Sequence, residues 1–318
     1  MNTIINKKAK KPAILVPYDF GPKSISALRE AIKISKYING EIFLLSVVRK
    51  GDFLSNLFTS DKEIRKMFRN TTHALKELSK DIKKQTRKCP QIIVEQGNPS
   101  EVILEQASII KAEYIIMGKM EKSAGNFNFV GPKTLHVITE SPCPVITVGE
   151  NTISEKGFKN IVLPIDLTKQ SLEKVVKSIA WAKYYNSKIH LVGVLSGGIS
   201  KSKSRINAKM EKAKKIIMSE KIECSAKIYD NNNNNLEDII LEHTKKVNGD
   251  LLMIMTHQEV GVLDNYIGAV AQKVLRQADV PVVSFNSKAM GNRFDFISAF
   301  LPIEMLSNKK ELEKLKGE

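Results

Sequence analysis

The stretch AEYIIMGKMEKSAGNFNFVGPKTLHVITESPCPVITV, residues 112–148, decides the fold. It reads as a buried strand from Tyr114 to Met117, a glycine-bearing loop, a helix, and a second apolar strand from Pro144 to Val148. An apolar strand running directly into a glycine, here Gly118, is how parallel α/β sheets turn backbone N–H groups toward a phosphate. Thirteen residues later Gly131 opens the helix. Glu121 stands between the two glycines and would place a carboxylate in the path of such a phosphate. Pro132 follows the second glycine and removes a backbone N–H from the same place.

Working outward, the preceding segments alternate strand and helix. Ala13 to Tyr18 (AILVPY) is a continuous apolar strand ending at Asp19, the pattern of a strand buried on both faces. Gly21, Pro22 and Ser24 open a helix with apolar positions Ala27, Leu28, Ala31, Ile34 and Ile38, closed by Asn39-Gly40. Glu41 to Val48 predicts the second strand. A long amphipathic helix on Ile64, Met67, Leu75, Leu78 and Ile82 follows a connection over 49–60. A strand from Gln91 to Glu95 and a helix from near Pro99 lead back to residue 112. This alternation implies a parallel, doubly wound sheet.

The second half repeats the first. NIVLPID (Asn160 to Asp166) matches AILVPYD, with Pro164 against Pro17 and Asp166 against Asp19. A helix on Leu172, Val175, Val176 and Ile179, the strand Lys188 to Leu195, and a Lys-rich helix on Ile206, Met210, Ala213 and Ile217 come next. The strand ECSAKIY, a polar Asn231 to Asn235 connection, a helix from Leu236, the strand Leu251 to Met255, a loop to Gly268, a helix and the strand PVVSF complete the copy. Two divergent domains in tandem are the expectation. Their bounds are 1–149 and 158–286, with a tail over 287–318 carrying Phe294, Phe296 and Phe300.

Length and composition agree. A chain of 318 residues suits two domains, and 42% hydrophobic content supplies two cores. No apolar run reaches the roughly 20 residues that span a bilayer, and the N-terminus lacks a signal-peptide pattern. Cys89, Cys143 and Cys224 form neither a CxxC nor an even disulfide set, which suits a reducing cytoplasm; with no long apolar run, the expectation is a soluble cytoplasmic protein and no membrane partner. The net charge of +16 comes mostly from lysines spread along helix faces, densest at Lys7, Lys8, Lys10 and Lys11 and at Lys212, Lys214 and Lys215. Without interleaved aromatics, this implies nucleic-acid binding that is at most nonspecific.

The glycine spacing and its surroundings resemble the universal stress protein family, whose members carry G-x2-G-x9-G-[ST] in this segment. Gly118 and Gly131 match its first and third glycines; Glu121 and Pro132 replace its second glycine and its Ser/Thr. The resemblance covers residues of about 12–149 and 158–286. It implies two flavodoxin-like, doubly wound parallel five-stranded sheets of order 3-2-1-4-5. It also implies an intramolecular pseudo-dimer paired through the last strands, Val145 to Val148 and Val282 to Phe285.

The resemblance also implies candidate nucleotide-binding residues. The first-strand carboxylates Asp19 and Asp166 would hold the nucleoside; capping the following helix is the other reading, and both stay open. Val47 and Val194 would meet the base through their backbone, or serve only as core. Gly118, Gly131 and Gly268 would offer amides to phosphates. In the second copy Thr256 falls where the first glycine belongs and Ala269 replaces the Ser/Thr. Neither copy keeps a full phosphate cradle, so triphosphate binding is expected to be weak or absent. His73, His136, His190, His243 and His257 show no short metal-ligand spacing, and no nucleophile elbow or Walker lysine occurs. His257 and Glu259 alone do not make a metal site. The expectation is a non-enzymatic stress-response module without a certain cofactor, acting through a ligand or an unidentified protein partner. The alternative is an ATP-binding member with slow hydrolysis.

Overall fold

The computed structural model describes residues 11–48, 61–119, 131–149, 157–167, 170–195, 200–230, 235–256 and 268–285. Glu121, His257, Glu259, Asn231 to Asn234, Lys7, Lys8, Lys10 and the tail over 287–318 lie outside the described residues. The chain divides into two compact units, the first carrying β1–β5 and the second β6–β10.

In the first unit, β1 (Ala13–Pro17), β2 (Glu41–Val48), β3 (Gln91–Gln96), β4 (Tyr114–Gly118) and β5 (Val145–Val148) alternate with α1 (Pro22–Tyr37), α2 (Asp61–Thr86), α3 (Pro99–Ile109) and α4 (Pro132–Glu140). All neighbouring strands are parallel, in the order β3-β2-β1-β4-β5. The second unit has β6 (Asn160–Ile165), β7 (Lys188–Leu195), β8 (Cys224–Asp230), β9 (Leu251–Met255) and β10 (Val282–Phe285). Its helices are α5 (Gln170–Tyr185), α6 (Ser200–Ser219), α7 (Leu236–Lys246) and α8 (Ala269–Gln277). Its order, β8-β7-β6-β9-β10, is again parallel throughout. This is the doubly wound order that the family resemblance implies, on the alternation that the residues themselves show. It puts the first strand of each unit beside the fourth, so both strands end at the same edge of the sheet.

The central strands are buried on both faces, which is why they read as unbroken apolar runs. Ile14, Leu15 and Val16 are fully buried in β1, as are Ile161, Val162 and Leu163 in β6. The amphipathic helices cover them. On α6, Ile206, Met210, Ala213 and Ile217 are all inward, as their spacing predicts. On α2, Leu75 and Ile82 are buried but Met67 is 49% exposed.

Three helix ends share one pattern. Asn39, Asn186 and Asn248 adopt left-handed φ values of 50°, 51° and 49°, and the next N–H returns to a carbonyl five residues back (Gly40 to Ser35, Ser187 to Ala182, Gly249 to Thr244). Asn, rather than the following Gly, therefore takes the left-handed position at Asn39-Gly40. Gly40 is needed for a different reason. A Cβ there would lie 3.0–3.2 Å from Ile38, the Pro12 carbonyl and Ile14, so the helix can return directly into the sheet only without one.

Candidate functional site

Each unit forms a junction where its first strand ends and the next helix begins. In the first unit the Tyr18 N–H donates to the Leu45 carbonyl at 2.7 Å, ending the β1 ladder. The exposed Asp19 follows. Its Oδ1 accepts the Gly21 N–H at 3.0 Å, and its own N–H donates to Ser24 Oγ at 3.3 Å. Gly21, the N-cap of α1, has no side chain to cap with, so Asp19 takes over part of that task through an Asx turn. In the second unit the Asp166 N–H donates to Ser171 Oγ at 3.0 Å, and the Ser171 hydroxyl donates to Asp166 Oδ1 at 2.6 Å. Both carboxylates thus serve the turn into the helix.

Gly118 sits at the end of β4, opposite Val148. The first turn of α1 crosses it so closely that a Cβ would stand 2.5 Å from the Lys23 carbonyl oxygen and 2.6 Å from Lys23 Cβ. Packing alone therefore demands glycine here. The strand registers also correct the second copy. Met255 pairs with Phe285 as Gly118 pairs with Val148. The Thr256 N–H reaches the Phe285 carbonyl as the Lys119 N–H reaches that of Val148. Met255, not Thr256, occupies the first-glycine position. The identical run of bonds along both strand pairs leaves no room for a one-residue offset.

Gly131 and Gly268 stand at the N-termini of α4 and α8, their carbonyls accepting from Leu135 and Gln272, each at 3.0 Å. Pro132 begins α4. At this first helical position a missing N–H costs the helix nothing, but it takes one donor from any anion placed there. Val47 and Val194 are half-buried, in register with Glu95 and Tyr229. Because β2, β1 and β4 are neighbours, Val47, Asp19 and Gly118 lie on adjacent strands at one end of the sheet. Beside them an open groove of about 520 Å³ is lined by Tyr18, Phe20, Ala74, Leu78 and charged residues of α2. Phe20 has a φ of 65° and stands edge-on to Tyr18 with ring centroids 5.1 Å apart. A bulky residue in the left-handed region carries strain of about 1–3 kcal/mol. Burial, then the Asp19 charge, push the Tyr18 hydroxyl above its usual pKa.

Two lysines of the second unit escaped the reading of the sequence. Lys174 is 3% exposed, and its Nζ donates to the Pro164 carbonyl at 2.6 Å. Burial pulls its pKa down, with Asp166 opposing and Lys209 adding to the fall. Lys209, half-buried on α6, is shifted down by its own burial and by Arg205 and Lys212, against the pull of Asp166. A signal existed. Lys174 shares a helix stripe with the buried Ser171, Val175, Ser178 and Ala182, where a lysine is out of place.

Among the described residues no three His, Cys, Asp or Glu side chains gather as metal ligands. The Asn160 amide donates to the Asn248 carbonyl at 3.1 Å, so its Oδ1 accepts from His190 Nε2 at 3.2 Å. Ser225 then donates to His190 Nδ1 at 2.7 Å. His243 meets the Tyr229 hydroxyl at 3.0 Å and is buried, which brings its pKa down to about 4. Burial pushes the Cys224 thiol up to about 11, away from thiolate chemistry. Among the described residues no helix is long and apolar enough to cross a membrane.

The model of the universal stress protein family matches residues 12–149 and again 157–285. The chain belongs to the universal stress protein family. A universal stress protein of Methanocaldococcus jannaschii is 28% identical over 156 residues, spanning 46% of this chain and 88% of the relative. The crystal structure of a universal stress protein from Archaeoglobus fulgidus superimposes with a TM-score of 0.69 at 19% identity, covering 86% of this chain and 96% of that one. One from Pseudomonas aeruginosa, described as a putative universal stress protein, gives 0.63 at 15% identity, covering 91% and 96%. At such identities these structures establish the fold.

Proposed function

We propose that this universal stress protein is a non-enzymatic, cytoplasmic stress-response module that works by binding a ligand or a partner protein, with nucleotide-phosphate loops that have decayed. The observation that carries this reading is Met255 at the register of Gly118. The second unit therefore lacks the first glycine of the family's G-x2-G-x9-G pattern. In the first unit Pro132 takes one donor from the helix N-terminus, and Glu121 adds a negative charge to the loop. Asp19, Val47, Gly118 and Gly131, and Asp166, Val194 and Gly268, are the remnants of the two sites. ATP is then neither a tight ligand nor a required cofactor.

A second reading has its own support. The groove beside Asp19, walled by Tyr18, a strained Phe20 and Leu78, has the aromatic and aliphatic lining that a nucleoside base prefers. Under that reading the first unit binds ATP and turns it over slowly. Replacing Glu121 with Gly and Pro132 with Ser distinguishes the two. Each restored donor to phosphate is worth about 1–3 kcal/mol, so the pair should tighten ATP binding by roughly tenfold to several hundredfold. Asp19→Ala in that background should cancel the gain. If the pair leaves ATP affinity unchanged, the pocket is closed to nucleotides and Asp19 is a helix cap only.

We also propose that domains 1–149 and 158–286 pair within the chain through β5 and β10. Each is an apolar strand at the end of its own unit's strand order, the place where a further strand can be added. Val148→Asp should then damage the pairing, measured by X-ray scattering, more than it damages either domain expressed alone. Independent tumbling of the two halves in the unmodified chain would refute the pairing.

A further inference from the structure

The second helix of each unit is the same element twice, and the two helices differ in charge. Aligned on their buried faces, Leu75 and Ile82 of α2 match Met210 and Ile217 of α6. Over its 26 residues α2 carries eight Lys and Arg and four acids, Asp61, Glu63, Glu77 and Asp81. Over its 20 residues α6 carries seven Lys and Arg and one acid, Glu211. The acids of α2 neutralise its lysines directly: Glu77 holds Lys80 at 2.8 Å and Asp81 holds Lys84 at 3.0 Å. The alignment puts Lys212 at the place of Glu77, Lys215 at that of Lys80, and Ile216 at that of Asp81. Lys215 thus has a lysine three residues before it where Lys80 has a glutamate.

Arg205, Lys212 and Lys215 are exposed. Among the described residues none of the three makes an ion pair. At 3.6 residues per turn they fall within about 80° of one another around α6, on the side turned away from Ile206, Met210, Ala213 and Ile217. Arg205 and Lys212 are close enough that both press on Lys209 with like charge, against the pull of Asp166. Like charges three and four residues apart destabilise a helix. The fold gains nothing from this stripe, and sequences break local rules of this kind at working surfaces.

The composition of the stripe determines what fits it. Its exposed side chains include Arg205, Ala208, Lys212 and Lys215, with no aromatic or large aliphatic group to anchor a protein partner. The apolar side of the helix is packed inward, so no apolar face is left to enter a bilayer, and the exposed Met218 is a single residue on the last turn. Charge alone recognises a polyanion. Arg205 to Lys215 spans about 15 Å at 1.5 Å per residue, a length over which duplex DNA presents about nine phosphates. We propose that the outer face of α6 is a docking surface for nucleic-acid phosphates, with Arg205, Lys212 and Lys215 as its contacts. Phosphate contacts carry no sequence information, so the docking is indifferent to sequence. It is independent of either reading of the nucleotide sites.

The test is fluorescence anisotropy of a labelled duplex of about 20 base pairs and mixed sequence, titrated with the full chain from about 50 to 200 mM salt. The triple variant Arg205→Gln, Lys212→Gln, Lys215→Gln should weaken binding about tenfold or more at the lowest salt, and should make the log–log salt slope shallower by about two to three. The triple variant Lys62→Gln, Arg65→Gln, Lys66→Gln removes the same charge from exposed positions of α2, where Asp61 and Glu63 stand among them. It should weaken binding less than about threefold. Circular dichroism should find the α6 variant folded and melting no lower than the unmodified chain, because the repulsion along the stripe is relieved. Equal losses from the two triple variants, a lower melting temperature of the α6 variant, or no binding of the duplex by the unmodified chain at about 50 mM salt would each overturn the proposal. So would attachment to phosphatidylserine vesicles, through the same three residues, at a salt concentration that releases the duplex.

Discussion

Gly118→Ala separates packing from ligand chemistry at the first glycine of the loop. The added methyl would stand 2.5, 2.6 and 2.7 Å from the O, Cβ and C atoms of Lys23. Two of these are backbone atoms in the first turn of α1, so no rotamer change relieves the clash. The helix start must move by about 1 Å, or β4 must yield. Overpacking of this kind costs about 1–3 kcal/mol, which lowers a domain's melting temperature by about 3–10 °C. Thermal unfolding followed by circular dichroism, without any nucleotide, reads this directly. Gly193→Ala is the control. Its Cβ would meet the side-chain ends of Ile228, Ile206 and Met210 at 3.3–3.5 Å, which can shift, and alanine suits a strand better than glycine. Its change should stay within about 1 kcal/mol. If Gly118→Ala melts within about 1 °C of the unmodified chain, α1 does not press on β4, and the glycine is kept for some reason other than packing.

Acid should weaken the second unit through His243. Its pKa is about 4 in the fold against roughly 6.5 when unfolded. The unfolded chain therefore takes up a proton that the folded one refuses, and stability falls as pH drops from about 6.5 toward 4, by roughly 2 kcal/mol at pH 5. His190, also shifted down by burial, adds in the same direction, and Lys227 and Lys246 press on His243 with like charge. Urea unfolding across this range should show the loss and His243→Gln should flatten it; an unchanged slope in the variant would refute the assignment. Asp250→Ala leaves the Lys159 and Asn160 N–H groups without the carboxylate they reach at 2.7 and 2.9 Å, and should cost about 1–3 kcal/mol in urea unfolding. Retention on duplex DNA should be weak, indifferent to sequence and steeply reduced by salt; sequence-selective binding at physiological salt would contradict the reading of the +16 charge.

The alternation of strands and helices and the duplication were legible because buried parallel strands leave unbroken apolar runs, such as AILVPY and LLMIM, and those runs recur along the chain; the order of strands within each sheet came only with the resemblance to the family. Helix faces were legible where the apolar stripe packs inward, as on α6, and misleading at Met67, which stays half-exposed on the apolar stripe of α2. The site was read less well. Counting residues to Thr256 missed that the ladder places Met255 at the glycine position, because register is a matter of hydrogen bonds between strands that sequence spacing does not display. Residue type could not tell capping from ligand binding at Asp19 and Asp166, since a carboxylate after a strand caps a helix with the same geometry that would let it meet a ligand. Lys174 and Lys209 were lost among 50 Lys and Arg residues. Only the stripe shared by Ser171, Val175 and Ser178 marks Lys174 as inward.

Titration calorimetry of the unmodified chain with magnesium ATP tests the decay of the phosphate loops most directly. With Met255 at one glycine position, and Pro132 and Glu121 in the other loop, binding should be unsaturated at accessible concentrations, with a Kd above about 1 mM. A micromolar Kd, lost on Asp19→Ala, would contradict it and establish the first unit as a working nucleotide site.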